Sequence, residues 1–366
     1  MTALEPLPVT TSPPKERVAY LDNARYWVML LVVIGHSLTQ FGGIESARAV
    51  YVWIYAFHMP FFVLISGYTA RRYVGDARQV RRMVSTLVVP YLIVETSLQL
   101  ITRHYGEGPD PMLILSPQWL AWFLAALFVW RITTPIWRAL KYPITTSIII
   151  SLTVGLFELP NVLSLPKILG FLPFWVIGLH MSRERFERLT ERPIRIASGI
   201  ILIAAFVICY RYSAGWETDW LLWKQRYDES PLSATALEGV MQRGELLAIG
   251  LLLSFAALSL VPKRRSWTTR LGGRTIYTYL LHGYIVLILS LQFELFNRIE
   301  RFGVVAVICT IVGAVIVANL LMTAIVARIF RPLFEPKLTW MFREISERDP
   351  GTGDKTTASS PTAPSP

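Results

Sequence analysis

Apolar positions along this chain come in long unbroken runs separated by short polar connections, and the run from Phe302 to Ala327 is long enough to cross a bilayer. Ten such runs can be marked. They are Tyr26–Phe41, Val50–Thr69, Met83–Thr102, Gln118–Thr134, Ile144–Leu159, Lys167–Met181, Arg195–Tyr210, Val240–Val261, Thr275–Phe293 and Phe302–Ala327. The sixth is short and is interrupted by Pro173. The pattern predicts an all-α membrane protein, a polytopic bundle of about ten transmembrane helices filling residues 18–334. Residues 1–17, broken by Pro6, Pro8, Pro13 and Pro14, lack the apolar core of a signal peptide and read as a disordered tail. A second tail, 335–366, turns to Gly, Thr, Ser and Pro from about residue 349 and reads as disordered from there.

Composition agrees with the pattern. The 366 residues are 53% hydrophobic and 17% charged, with a mean hydropathy of +0.44, whereas a soluble domain carries about 25% charged residues. This argues against a water-soluble enzyme and excludes a disordered chain. The formal charge of +11 would suit a nucleic-acid partner only if the basic residues clustered on a polar, aromatic surface. They sit instead in alternate connections. With the N-terminus inside, the inner connections hold Arg71, Arg72, Arg78, Arg81 and Arg82, then Arg131, Arg138 and Lys141, then Arg183 to Arg195, then Lys263 to Arg274. Basic flanks resist translocation, so the expected protein is multi-pass in the cell membrane with both termini cytoplasmic. Deleting the sixth run breaks the alternation. Cys209 and Cys309 both lie inside apolar runs and read as packing residues.

An ionisable group inside the bilayer is expensive and needs a reason. His36, His58 and His282 all fall within predicted spans. His36 follows Arg25 by eleven residues, which puts it roughly 16 Å along a helix and near the bilayer middle. The other two fall at similar depth. A neutral histidine can simply bond across a helix interface, but three at one depth favour a shared polar cavity. His104 and His180 lie near span ends, where solvation suffices. Histidine or cysteine spacings for metal are absent, as are a Walker loop, a dinucleotide fingerprint and a nucleophile elbow. No bound metal or cofactor is therefore expected, and a histidine acting as general base is the most economical chemistry.

The run from Tyr20 to His36, with Arg25, ten residues and His36, resembles the first-helix signature of the acyltransferase 3 family of integral membrane O-acyltransferases. Phe57-His-Met-Pro-Phe-Phe-Val-Leu-Ile-Ser-Gly-Tyr68 resembles the second-helix motif of its fucose 4-O-acetylase-like branch. Blocks at Trp122–Phe128, Phe171–Gly178 and Tyr279–His282 follow in the same order. The resemblance implies ten helices. It also implies transfer of an acyl group, usually acetyl from cytoplasmic acetyl-CoA, to a hydroxyl of an extracytoplasmic or lipid-linked glycan. It makes His36 the expected catalytic residue and Arg25 its partner on the donor side. The family's R-x-x-R motif is matched by Arg78-Gln-Val-Arg81-Arg82, although Pro90 lies further on than usual.

Elementary chemistry supports the same reading. Coenzyme A carries several phosphate charges, which arginine is suited to hold, and the cytoplasmic cluster of Arg71, Arg72, Arg78, Arg81 and Arg82 could supply that. With the motif resemblance, Arg25, Arg78, Arg81 and Arg82 are the expected donor-binding residues. His36 would take the acceptor's proton, with His58 orienting it or binding the oxyanion. Asp22, Glu95 and His282 are supporting candidates: Asp22 as a helix cap or by its place in the motif, Glu95 as an acid able to orient a histidine. The aromatic segment containing Trp216, Trp220, Trp223 and Tyr227 suits a headgroup belt or a lid over an outward opening. The competing function is a transporter or flippase without covalent chemistry, since polar groups at mid-depth also mark transport paths.

Overall fold

In the computed structural model, which describes residues 19–106 and 111–342, all ten apolar runs are helical over much of their length, and no strand forms among the described residues. Residues 1–17 and the segment from 349 onward lie outside the described residues. The main helices are α1 (Ala19–Leu38), α2 (Glu45–Ala70), α3 (Ala77–His104), α4 (Trp122–Ile132), α5 (Pro143–Leu156), α6 (Val162–Gly170) and α7 (Leu172–His180). They continue with α8 (Arg192–Gly215), α9 (Ala236–Leu260), α10 (Thr275–Gln292), α11 (Val304–Leu321) and α12 (Ala324–Phe334). Six of these, α2, α3, α8, α9, α10 and α11, are long and apolar enough to cross a membrane, and α6 with α7 makes a seventh if the bent pair is one span.

The bend of 59° between α6 and α7 follows from Pro173 in the first turn of α7, where a residue without an N–H starts a helix but cannot continue one. Pro60 acts similarly in α2. It has no donor for the Ala56 carbonyl, and the helix slackens into a turn at Ala56–Phe57 before resuming at His58. This places His58 at a helix start, where its ring can reach back to the preceding turn.

Helix α1 brings polar residues into the middle of the packing. Helix α1 carries Asp22, Asn23, Arg25 and His36 and packs against α2, α10, α11 and the short helix Trp267–Gly272. By contrast, α8 and α11 bury only 11% and 22% of their apolar stretch, so their side chains face lipid, as an all-round apolar helix in a membrane bundle does. Helices α2 and α7 cross closely. A Cβ at Gly67 would lie 2.2 Å from the Trp175 carbonyl and one at Gly178 2.1 Å from the Leu64 carbonyl, so only glycine permits this approach.

The aromatic segment between α8 and α9 folds inward. Trp220, Trp223 and Tyr227 are buried and only Trp216 among the four is exposed. The three are part of the bundle's packing.

Candidate functional site

His36, on the last turns of α1, and His282, on α10, come together although 246 residues separate them: His36 Nδ1 lies 2.9 Å from His282 Nε2, and the rings stack at 5.1 Å. His282 is fully buried and its Nδ1 is 2.8 Å from the Thr278 carbonyl one turn earlier. A carbonyl can only accept, so His282 Nδ1 carries the proton. In a neutral ring Nε2 is then the acceptor, and His36 Nδ1–H donates to it. The neutral His36 ring is left with a bare Nε2 lone pair. His36 is also the one partly exposed member of the three histidines.

His58 stands one ring away. Its Nδ1 is 3.0 Å from the Ile54 carbonyl, so its N–H is used within α2. Tyr55 lies between the histidines, 4.6 Å from the His58 ring and 6.3 Å from the His36 ring. Gly35 makes room for it, since a Cβ there would sit 3.0 Å from the Tyr55 ring. The geometry thus pairs His36 directly with His282 and only indirectly with His58. A neutral His58 has no ring N–H to spare for an oxyanion.

Trp119 closes the other side, 5.1 Å from the His36 ring, with its backbone at φ 43°. What holds it is Glu95. Fully buried on α3, Glu95 accepts the Gln118 backbone N–H with both carboxylate oxygens at 3.1 and 2.9 Å and Gln99 Nε2 at 2.5 Å. Glu95 therefore reaches the site through the segment ahead of Trp119 and not by orienting a histidine.

Beneath the pair lies a cavity of about 500 Å³ lined by Arg25, Arg72, Arg82 and Arg131 together with Met29, Phe123 and Tyr279. Tyr279 is common to both regions, because its ring also packs 6.3 Å from that of His282. Arg25 bonds to the buried Asp22 carboxylate at 3.0 Å. The next residue, Asn23, clamps the connection ahead of α10, donating to the Pro262 and Arg264 carbonyls at 2.7 and 3.0 Å. It also accepts from the Thr268 and Thr269 hydroxyls.

Of the four arginines expected on the donor side, Arg25 and Arg82 line this cavity. Arg78 and Arg81 do not; Arg81 donates to the Lys337 carbonyl at 2.7 Å. Arg131, read from sequence as a topology signal, and Trp119, Tyr55 and Asn23 were not foreseen. Their only sequence signal is position: Arg131, Trp119 and Asn23 lie at or beside the ends of apolar runs, and Tyr55 lies within one. Among the described residues no three His, Cys, Asp or Glu side chains group in a way that could hold a metal ion.

An all-helical membrane protein with an internal histidine pair above an arginine-lined cavity is the class these features define. The family model for the acyltransferase domain of the acyltransferase 3 type matches residues 18–323. The chain belongs to that family and is a membrane acyltransferase. Neither the curated proteins nor the solved structures contain a match.

Proposed function

We propose that the protein moves an acyl group, acetyl in the simplest case, from cytoplasmic acyl-CoA to a hydroxyl of a glycan or other extracytoplasmic or lipid-linked acceptor. The observation that carries this reading is the arginine-lined cavity directly below the His36–His282 pair, with Tyr279 shared between them. Arg25, Arg72, Arg82 and Arg131 hold the phosphates of the donor, and the apolar wall of Met29 and Phe123 takes the pantetheine arm. His36 Nε2 accepts the acceptor's hydroxyl proton as its oxygen attacks the thioester carbonyl carbon. The carbon–sulfur bond then breaks, and the proton passes from His36 to the departing sulfur, so free CoA thiol and the ester leave together. His58 shapes the site through Tyr55.

The basic connections support ten spans with both termini in the cytoplasm, and the Phe57–Tyr68 motif supports the fucose 4-O-acetylase-like branch. Purified protein given acetyl-CoA should release CoA thiol only when a hydroxyl acceptor is present. Movement of the acceptor across a vesicle membrane with no thiol release would assign transport instead.

His282 acts here as a positioning residue that fixes the His36 tautomer. Loss of its acceptor in His282→Ala leaves a buried N–H unsatisfied, which costs about 1–3 kcal/mol, and should lower kcat about tenfold or more. Gln at this position offers an amide oxygen to the same N–H and should restore most of the rate. Equal kcat in the Ala and Gln variants would remove the tautomer role from His282.

A further inference from the structure

Arg243 lies on α9 inside a predicted span, is 1% exposed, and takes no part in the site above. Its guanidinium sits over the rings of Trp223 and Tyr227, at 4.6 and 5.5 Å. Its Nε and Nη1 have no hydrogen-bond partner, and no carboxylate pairs with it among the described residues. A charge withdrawn from water without a counter-ion is costly, and within a membrane segment such a residue marks function by default.

The surroundings sharpen the point. Arg243 lines a cavity of about 430 Å³ at the end of the bundle away from Arg25, a volume within the range of small-molecule sites. Of the three acids on the cavity lining, Glu158, Asp228 and Glu229, the first two are directed to a different arginine. Arg226 pairs with Asp228 at 2.5 Å and with Glu158 at 3.5 Å. The bond from Arg226 holds the Asp228 carboxyl below its ordinary range. The chain neutralises the exposed rim cation twice over and leaves the deep one with two aromatic faces and the Tyr227 hydroxyl, with no carboxylate among the described residues. An arginine present only for packing has no need of a cavity beside it.

We infer that Arg243 anchors an oxyanion-binding site in this cavity, taking the carboxylate or phosphate of a small, sugar-sized ligand. The guanidinium meets the oxyanion below the rim ion pairs, where water is scarce and a charge-assisted bond is strongest. The site is independent of acyl transfer and is tested without donor.

The experiment is ligand binding to purified full-length protein, by calorimetry and by shift of the unfolding midpoint, with glucuronate, glucose 1-phosphate, inorganic phosphate and neutral glucose as probes. At least one acidic probe should bind and glucose should not. Preference for glucuronate identifies a carboxylate ligand; binding of both phosphates identifies a phosphate. Arg243→Gln should weaken that binding by about 10- to 100-fold, the size of one charge-assisted contact, and Arg243→Lys should weaken it less. Leu159 lines the same cavity from a segment outside α9, and Leu159→Trp should occupy the space and abolish binding while the unliganded midpoint stays unchanged. This variant decides the matter if Arg243→Gln does not fold. Failure of every acidic probe to bind the parent, or undiminished binding in Leu159→Trp, would overturn the proposal and leave Arg243 to its aromatic contacts.

Discussion

Replacing His36 with glutamine should lower turnover by about 10²–10⁴-fold, the usual worth of a positioned general base, with the protein still inserted and still binding donor. The substitution is chosen for what it preserves. A glutamine amide can donate to His282 Nε2 much as His36 Nδ1–H does across 2.9 Å, so the link between α1 and α10 survives. What it lacks is a basic lone pair, because an amide takes no proton near neutral pH. A histidine kept only to bridge two helices would therefore tolerate glutamine, whereas a catalytic one would not. Turnover at saturating donor and matched protein level makes the measurement. A rate within a few-fold of the parent would falsify the assignment and pass the role to His58, on the far side of Tyr55.

Removing the cavity arginines should act on the other kinetic constant. Arg82→Gln and Arg131→Gln should each raise the KM for acyl-CoA by about tenfold or more, since a hydrogen bond to a charged group contributes about 1.5–3 kcal/mol, with kcat changed little. Both side chains line the space under Tyr279. Arg81→Gln should have a smaller effect, because its guanidinium is engaged with the Lys337 carbonyl, away from the cavity lining. Steady-state kinetics with varied donor at saturating acceptor separates these outcomes. Equal KM in all three variants would return the arginines to topology alone.

The comparison of Arg81 with Arg131 shows where sequence reading stops. Both are basic residues beside apolar runs, and a one-dimensional charge pattern scores them alike. Arg131 turns into the cavity because α4 ends against the start of α3, and Arg81 turns out to meet the chain after α12. Glu95 makes the same point. Its isolation in an apolar run signalled a role, but its partner, the Gln118 N–H, sits on a connection whose path no periodicity encodes. Arg243 carries a similar signal, a charge inside the run Val240–Val261, and its aromatic partners Trp223 and Tyr227 come from the connection before that run.

By itself the sequence determined the helical runs, their membrane character, the break at Pro173 and the presence of three histidines inside apolar runs. Each of these depends on hydropathy, backbone chemistry or distance along a single helix, and such properties are local. The tertiary structure alone decided that His36 meets His282 and not His58, which nitrogen keeps its lone pair, and which arginines share one cavity. Those outcomes depend on how helices far apart in sequence rotate and approach, and a few close contacts set that packing, such as Gly67 against the Trp175 carbonyl. Lipid solvates every apolar face alike, so hydropathy cannot say which face turns inward; only the fit of one helix against another does.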